Sequence, residues 1–311
     1  MVSAKIGLRN LARNRWRSGL TLGGIGVSVG FMVWILGFME GWMGTMVQGA
    51  TAVETVQVQV HTRAFADNPR VYRTFPVSQE LLNAVRGVDG VVAVSPRVRL
   101  NGLIGHEEKS QVGRIMGVDP ALESETTPVA TALIEGRWLA QQPPVFPAPR
   151  EVVLGAGMAN QLRVGVGDEL VVFVEAADGS MGNDLLQVVG VVKTANSAVD
   201  RMTAYMHIED ARFLAAVEGE AHELAIKTDN LLGAQETAGR IAAAIGADTR
   251  GALSGGGAGA GPGSQRSLTP SDPDALLVRP WQEILPSIYQ MLTIGRQSNW
   301  FTYLLIYLVA A

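Results

Sequence analysis

Residues 18–39 form a long apolar stretch near the N-terminus and contain no charged side chain. Because an α-helix rises about 1.5 Å per residue, this stretch would span roughly 33 Å, enough to cross a hydrocarbon core of ~30 Å. Trp34 and Trp42 lie toward its C-terminal end, and indole rings favour the membrane interface. The pattern predicts a transmembrane helix over residues 18–42, anchored by these two tryptophans.

Glycines inside this predicted helix follow the spacing that lets membrane helices approach closely. Small residues four positions apart lie on one side of a helix and leave room for a neighbouring backbone. We therefore expect a helix-packing face at Gly19, Gly23, Gly26 and Gly30. Glu40 follows the charge-free stretch. We interpret it as an anchor at the end of the helix, which is a better interpretation than a functional intramembrane carboxylate.

The segment before the apolar stretch is basic. Residues 1–17 contain no acid and five bases, namely Lys5, Arg9, Arg13, Arg15 and Arg17. The positive-inside rule places this segment in the cytoplasm and the chain beyond Trp42 outside it. Its apolar positions lie close to one helical face, as in an amphipathic helix on an anionic membrane surface, and a simple topogenic charge cluster implies the same orientation. A cleaved signal peptide and a buried core helix are the alternatives; the stretch ends GFMEGWMG, without an A-x-A-like cleavage site.

Short strand patterns and isolated helices alternate over residues 52–230. Ser78 is a predicted N-cap with Gly87 after the last apolar turn, and VVAVSPRVRLNGLI and QVGRIMGVDP predict two strands joined by the polar tip GHEEKS. This mixture predicts an α+β domain of two lobes, not a doubly wound sheet. The first pattern, AVETVQVQV, alternates and predicts one strand whose apolar face consists of Val53, Val56, Val58 and Val60.

The C-terminal part contains two segments of unusual composition. Residues 247–275 are dense in glycine, serine and proline, which predicts a flexible surface insert within a domain spanning residues 43–298. The last segment, NWFTYLLIYLVAA, is charge-free and apolar, so residues 299–311 are predicted to start a second transmembrane helix that is incomplete. The sequence is expected to be a piece of a longer membrane protein, and a short buried helix is the alternative.

Charge and composition exclude several classes of function. Beyond Glu40 there remain 29 − 1 = 28 acidic and 25 − 5 = 20 basic residues, so the chain after the first helix is acidic. A basic start and an acidic remainder fit a chain divided by a membrane, and without a basic stripe in the remainder we expect no nucleic-acid partner. The sequence has no cysteine, which excludes disulfides, thiolate metal sites and a cysteine nucleophile.

The motifs that could carry chemistry are weak. VVLGAGMAN imitates a dinucleotide-binding turn, but Asn160 takes the place of the third glycine and the following helix is too short, so tight turns are the better explanation. Glu107 and Glu108 are expected to be solvated at a hairpin tip. The histidines show no metal-ligand spacing and are expected to be ordinary residues: His61, His106, His207 and His222. We predict no catalytic residue, no cofactor and no metal site.

An ordered set of segments resembles one family of membrane proteins. LRNLARNRWRSGLTLGGIGVSV is similar to the N-terminal arm and first helix of FtsX-like and MacB-like ABC transporter permeases. IEGRWL and EVVLGAGMANQLRVGVGDELVVF resemble their periplasmic core domain, and LQVVGVVKTANSAVDRMTAYMHIEDARFL resembles the segment that follows, particularly in Lol-type lipoprotein-releasing permeases. WQEILPSIYQML looks like their return to the membrane.

This resemblance implies a membrane-anchored α+β protein: an N-terminal transmembrane helix, a two-lobed periplasmic MacB-like core domain and the start of a second membrane helix. It implies a permease subunit in the bacterial inner membrane that is not itself an enzyme. The partners it implies are a cytoplasmic ABC ATPase, a second permease copy, membrane lipid and a lipoprotein or periplasmic carrier. Asp178, Gly179, Ser180 and Met181 lie where Lol-type subunits have a substrate-handling loop. The alternatives are an FtsX-like regulator of cell-wall hydrolases and a two-helix periplasmic sensor.

Overall fold

The computed structural model describes residues 15–145, 147–249 and 273–294. The chain divides into two compact units, one of residues Met1–Val47 with Ser287–Ala311 and the other of Gln48–Pro286. The predicted residues Arg9 and Arg13, the interior of the Gly-rich insert and the predicted second transmembrane helix lie outside the described ranges.

A single long helix, α1, occupies Arg15–Ala50 and confirms the helix predicted from the apolar stretch. Its segment Arg15–Met39 is 25 residues long with a mean hydropathy of 1.9, which is long and apolar enough to cross a membrane, and it is not buried against any other residue that the structure describes. Hydroxyl groups inside it donate to carbonyls four residues earlier, as Thr21 does to Arg17 and Ser28 to Gly24. These polar side chains are therefore satisfied without water, which suits an apolar environment.

The second unit contains thirteen described strands and eight further short helices. The strands are β1 Val58–Thr62, β2 Phe75–Pro76, β3 Val91–His106, β4 Lys109–Val118, β5 Leu133–Gly136, β6 Arg150–Gly155, β7 Glu169–Glu175, β8 Met181–Val192, β9 Thr203–His207, β10 Glu220–Ala221, β11 Glu223–Thr228, β12 Asp248–Thr249 and β13 Leu276–Pro280. The helices are α2 Arg63–Asp67, α3 Gln79–Arg86, α4 Pro120–Thr126, α5 Ala156–Leu162, α6 Ser197–Met202, α7 Ile208–Ala215, α8 Ala234–Ile245 and α9 Trp281–Ile284. A π-helical turn covers Thr51–Thr55, a 3-10 turn covers Ala130–Ala132, and residues 286–294 are helical.

Six of these strands close into a barrel. Strand β3 pairs with β4 and β7, β4 continues to β9 and β6, and β8 joins β6 to β7, which completes the ring. Two of the pairings, β4 with β9 and β6 with β8, are parallel. The barrel interior is filled by aliphatic side chains with almost no exposure, among them Leu100, Ile104, Val172 and Leu186. A closed ring leaves none of these six strands as an open edge along its paired length.

The other lobe extends the same sheet beyond the barrel. The first part of β3 pairs with β11, which pairs with β1, and β13 and β12 follow in order. Helices α3 and α8 contact each other, with α3 packing on β3 and α8 on β13 and β1. The predicted two-lobed α+β domain is therefore present, and its two lobes share the long strand β3.

Local start and stop signals were predicted well. Ser78 accepts a hydrogen bond from the backbone of Leu81 as the N-cap of α3, and Gly87 follows the helix. The predicted hairpin is β3 and β4, with Glu107 in the left-handed region (φ 50°) at its tip.

The single alternating strand predicted over AVETVQVQV is wrong in its first half. Val53 lies in the π-helical turn and Val56 has a left-handed backbone (φ 53°), so the strand begins only at Val58. All five residues of β1 are buried, because the strand is paired on both sides and covered by packing. The alternation therefore did not mark one buried face, as it would for a half-exposed strand.

The ends of the predicted Gly-rich insert are ordered, which corrects its boundaries. Asp248–Thr249 pair in parallel with Leu277–Val278 of β13. At the other end, the backbone N–H groups of Arg63 and Ala64 donate to the carbonyls of Ala275 and Pro273. Backbone pairing with the sheet fixes these flanks in spite of their loop-like composition.

Candidate coupling site

The π-helical turn Thr51–Thr55 lies near the start of the second unit and directly follows α1 in sequence. The carbonyls of Val53 and Glu54 in this turn accept hydrogen bonds from Arg97 on β3, both at 3.0 Å. The side chain of Arg97 is only 1% exposed. A buried cation on the domain therefore binds the backbone where the chain arrives from the predicted membrane helix.

All five N–H groups of Arg97 are used. Two donate to the turn, and Nε and Nη2 donate to the two carboxylate oxygens of Glu123 at 3.1 and 2.6 Å. The remaining N–H donates to Glu223 at 3.3 Å. A planar guanidinium with every donor satisfied fixes direction as well as distance, which an ammonium cannot do.

Both carboxylates are supported by further donors. Glu123, on α4, also accepts from Ser95 (2.9 Å) and from Thr127 (2.8 Å). Glu223, on β11, lies directly opposite Arg97 in the strand pairing and accepts from Arg99 at 2.9 Å. The cluster is therefore a hydrogen-bonded network, which is the condition under which buried charges are tolerated.

The opposite charges within the network keep Arg97 and Glu223 in their ionised forms. Burial acts to raise the pKa of Glu223, but Arg99 and Arg97 outweigh it and lower that pKa below its usual value. Burial acts to lower the pKa of Arg97, and the Glu123 carboxylate outweighs it and raises the pKa above its normal range. Arg97 and Glu223 therefore stay charged across the physiological pH range.

Two partly exposed arginines of the same sheet also bind the turn. Arg99 and Arg114 both form ion pairs with the carboxylate of Glu54, the former at 3.6 Å. These three side chains are 24–33% exposed, so each pair contributes less than the buried ones. Glu54 is thus bound through its carbonyl by a buried arginine and through its side chain by two others.

The returning strand lies beside the entering one. Strand β1 pairs antiparallel with β13, from Val58 opposite Pro280 to Thr62 opposite Leu276. At the end of β13, the fully buried Trp281 donates its backbone N–H to the carbonyl of Gln57 (2.8 Å) and its indole N–H to that of Leu231 (2.7 Å). The chain's entry to and departure from this unit are therefore hydrogen-bonded neighbours.

A family model described as the MacB-like periplasmic core domain matches residues 18–247. The chain belongs to this family. The resemblance to FtsX-like and MacB-like permeases is thus confirmed at the family level, and the two-lobed domain carrying the Arg97 network is a MacB-like core domain.

Individual relatives are more distant. The chain is 25% identical over 238 residues to the lipoprotein-releasing system transmembrane protein LolC of Neisseria meningitidis serogroup B. That match covers 73% of this chain and 54% of the relative, so the chain spans about half the length of LolC.

Two solved structures are similar to parts of the chain. The extracellular domain of the noncanonic ABC-type transporter YknZ from Gram-positive bacteria has a TM-score of 0.42 at 15% identity, over 60% of this chain and 91% of that one. The periplasmic region of MacB from Actinobacillus actinomycetemcomitans has a TM-score of 0.43 at 13% identity, over 63% and 86%.

The predicted membrane residues lie along α1. Trp34 and Trp42 are 62% and 56% exposed, and Arg15 and Arg17 are exposed as well. Within the described residues, a methyl group added at any of the four predicted packing glycines, Gly19, Gly23, Gly26 and Gly30, would meet no atom within 4 Å apart from the backbone of the helix itself. Their role in helix packing and that of the tryptophans and arginines in anchoring and topology stay predictions.

The predicted substrate-handling residues form a tight turn between β7 and β8. The Asp178 carboxylate accepts hydrogen bonds from the backbone N–H of Ser180 (2.9 Å) and its hydroxyl (2.7 Å), which lowers the pKa of Asp178 below its usual value. Gly179 takes the left-handed conformation (φ 82°), and Met181 is 66% exposed. The turn is short because its own hydrogen bonds close it, and its role stays a prediction.

The two glycines of the GAG sequence at the start of α5 let helix α6 pack closely against it. A methyl group at Gly155 would overlap the backbone of Asp200, and one at Gly157 would overlap Arg201. Helix α6 thus occupies the space in front of these glycines. This contact explains the resemblance to a dinucleotide-binding turn without a ligand.

The histidines have structural partners. His222 accepts from the backbone N–H of Arg99 (3.1 Å) and its other nitrogen bonds the Val71 carbonyl (2.9 Å), so the ring is neutral. Burial lowers the pKa of His222 and of His61 to about 4. Among the described residues, no group of three or more potential metal ligands occurs.

Sequence reasoning missed Arg97 and its partners. The available signal was an arginine inside the apolar strand pattern VVAVSPRVRL, together with a carboxylate at the start of HELAIKTD. The sequence did not indicate which carboxylates bind Arg97, because Glu123 and Glu223 lie 26 and 126 positions further along the chain.

Proposed function

We propose that this chain forms part of a permease subunit of a MacB/Lol-type ABC transporter. In this proposal a separate cytoplasmic ATPase supplies ATP hydrolysis, a second permease copy completes the assembly, and the chain itself catalyses nothing. The N-terminus lies in the cytoplasm of a bacterial cell and α1 crosses the inner membrane. The core domain lies in the periplasm.

The observation that carries the proposal is the binding of the Thr51–Thr55 turn by Arg97. A displacement of α1 along or across the membrane acts on this turn first, because the turn is its covalent continuation. Arg97 passes the displacement to β3, and through Glu123 and Glu223 to α4 and β11. Since β3 belongs to both lobes, movement of the membrane helix would reach the whole core domain.

The cargo we propose is a lipoprotein or another envelope substrate, in line with the relative named as a lipoprotein-releasing system protein. The full-length protein should be expressed with an ABC ATPase of the same organism and reconstituted in proteoliposomes containing a labelled lipoprotein. We expect a stable complex and ATP-dependent release of the lipoprotein.

The same preparation distinguishes the alternatives. If the lipoprotein stays bound while a periplasmic cell-wall hydrolase co-purifies and is activated by ATP, the protein is a regulator. If no ATPase associates with the full-length protein, the sensor interpretation holds and the permease proposal fails.

A further inference from the structure

The outer surface of the barrel carries a continuous apolar patch on four adjacent strands, β4, β3, β7 and β8. Strand pairing places Val112 opposite Leu103 and Leu103 opposite Phe173, which forms one row across three strands. A second row places Val171 opposite Leu185, and Met181 lies four residues away along β8, opposite Glu175, with the exposed Asn183 between Leu185 and Met181 on the same face. These six side chains are 40–68% exposed, and we call them the barrel patch: Leu103, Val112, Val171, Phe173, Met181 and Leu185.

The exposed side chains of the barrel patch are separate from those that fill the barrel core. The alternate residues of the same strands, such as Ile104, Val172 and Leu186, point inward and are fully buried. Cross-strand neighbours on one face have Cβ atoms about 5 Å apart, so the outward side chains adjoin. Singly exposed apolar residues are ordinary on protein surfaces, but a contiguous group across four strands marks a contact surface.

Acidic side chains border the barrel patch. Leu103, Val171 and Phe173 line a groove of about 380 Å³ together with Glu107, Glu108, Glu169 and Lys109. At the opposite end of β7, Glu175 lies opposite Met181 and also lines a pocket with Arg70, Arg99 and Arg114, and Asp178 lies in the turn that follows. None of these five carboxylates has an ion-pair partner within the part of the chain that the structure describes.

The geometry limits how an occupant binds. Strands β3, β4, β7 and β8 belong to the closed ring, so a partner cannot add a strand between them and must rest on their side chains. At the hairpin-tip end of the patch, Glu107, Glu108 and Glu169 outnumber Lys109, and this excess of carboxylates disfavours an anionic membrane surface and favours basic residues at that border of the contact.

We propose that the barrel patch docks a protein segment that presents apolar side chains bordered by lysine or arginine. Met181, at the end of the predicted substrate-handling turn, belongs to this surface. The inference concerns a different surface from the coupling site, so it can fail while the ATP-driven function stands, and the reverse also holds.

The test uses the full chain in phosphatidylcholine nanodiscs and a fluorescent amphipathic helical peptide of leucine and lysine as the probe. A peptide of the same length and pattern with glutamate in place of lysine and empty nanodiscs are the controls. By anisotropy, we expect the lysine peptide to bind at least tenfold more tightly than the glutamate peptide, with an affinity that falls as salt rises.

Two variants separate the apolar and charged contributions. Leu103→Ser with Phe173→Ser should weaken binding of the lysine peptide about tenfold or more, and Glu169→Lys with Glu175→Lys should do so while leaving the patch apolar. Leu232→Ser, at a side chain 50% exposed outside the barrel, is the matched control and should bind as the parent does. Circular dichroism establishes that each variant is folded.

Three results would overturn the proposal. Equal binding of the two peptides would exclude charge complementarity, and an equal loss in Leu232→Ser would exclude the patch. Concentration-dependent self-association that disappears in the Leu103→Ser, Phe173→Ser variant would show that a second copy of this chain covers the surface instead.

Discussion

Arg97 combines full burial, two carboxylate partners and two backbone carbonyl partners in one side chain. Such a group is costly to remove, because its partners stay behind as uncompensated charges. Its contribution therefore differs in kind from that of a surface ion pair, where water takes over from the missing partner.

Replacing Arg97 by methionine should lower the free energy of unfolding by ~3–5 kcal/mol, because Glu123 and Glu223 lose their buried cation. The matched control is Arg137→Met, which removes a surface arginine paired with Glu151 and 55% exposed. That change should cost about 1 kcal/mol or less. Denaturant unfolding of the full chain measures both, and equal losses would contradict the special role of Arg97.

His222 makes the stability of the domain depend on pH. Its pKa is about 4 in the folded protein, lowered by burial, against an ordinary value of 6.5 when unfolded. Between these values the unfolded chain binds a proton that the folded chain does not, so stability is complete above about pH 6.5 and falls as the pH drops toward 4. His61 acts in the same direction.

We expect the thermal midpoint to fall as the pH is lowered from 7 to 5. His222→Gln keeps a donor and an acceptor without a titrating group, so its midpoint should decline less steeply over the same interval. Parallel curves for parent and variant would show that His222 does not contribute to the pH dependence.

For helices and strands, the sequence predicted the features that depend on neighbouring residues but not those that depend on residues far apart in the chain. The N-cap Ser78 and the hairpin tip at Glu107 depend on neighbouring residues and were predicted correctly. Barrel closure depends on the parallel pairs of β4 with β9 and β6 with β8, which no local pattern encodes. For the same reason, the sequence predicted two lobes but not the strand they share.

The packing of α6 against the start of α5 predicts a sharp difference between two glycines. Gly155→Ala should lower the free energy of unfolding by ~1–3 kcal/mol, because its methyl group overlaps the Asp200 backbone. Gly239→Ala, in the interior of α8 with nothing within 4 Å, should raise it by about 0.5–1 kcal/mol through better helix propensity. Urea unfolding measures both, and a tolerated Gly155→Ala would contradict the close approach.

For the whole molecule, the distribution of charge around α1 predicts its orientation. An alkaline phosphatase reporter fused after Gly49 should be active, and a green fluorescent protein reporter at the same position should be dark. Changing Arg9, Arg13, Arg15 and Arg17 together to glutamate should reduce the phosphatase activity several-fold at equal expression. Fluorescence from the parent fusion would contradict a periplasmic core domain.

Strand β3 connects the Arg97 network to the barrel patch, because it contains both Arg97 and Leu103. It runs unbroken over 16 residues, which at about 3.3 Å per residue reaches at most roughly 50 Å. Arg97 is the seventh of these residues, so nine residues, or at most roughly 30 Å of strand, separate it from the hairpin tip. If the proposed coupling holds, a displacement applied at Arg97 is carried along this strand, and we expect the distance of the barrel patch from Arg97 to determine how far a bound partner moves.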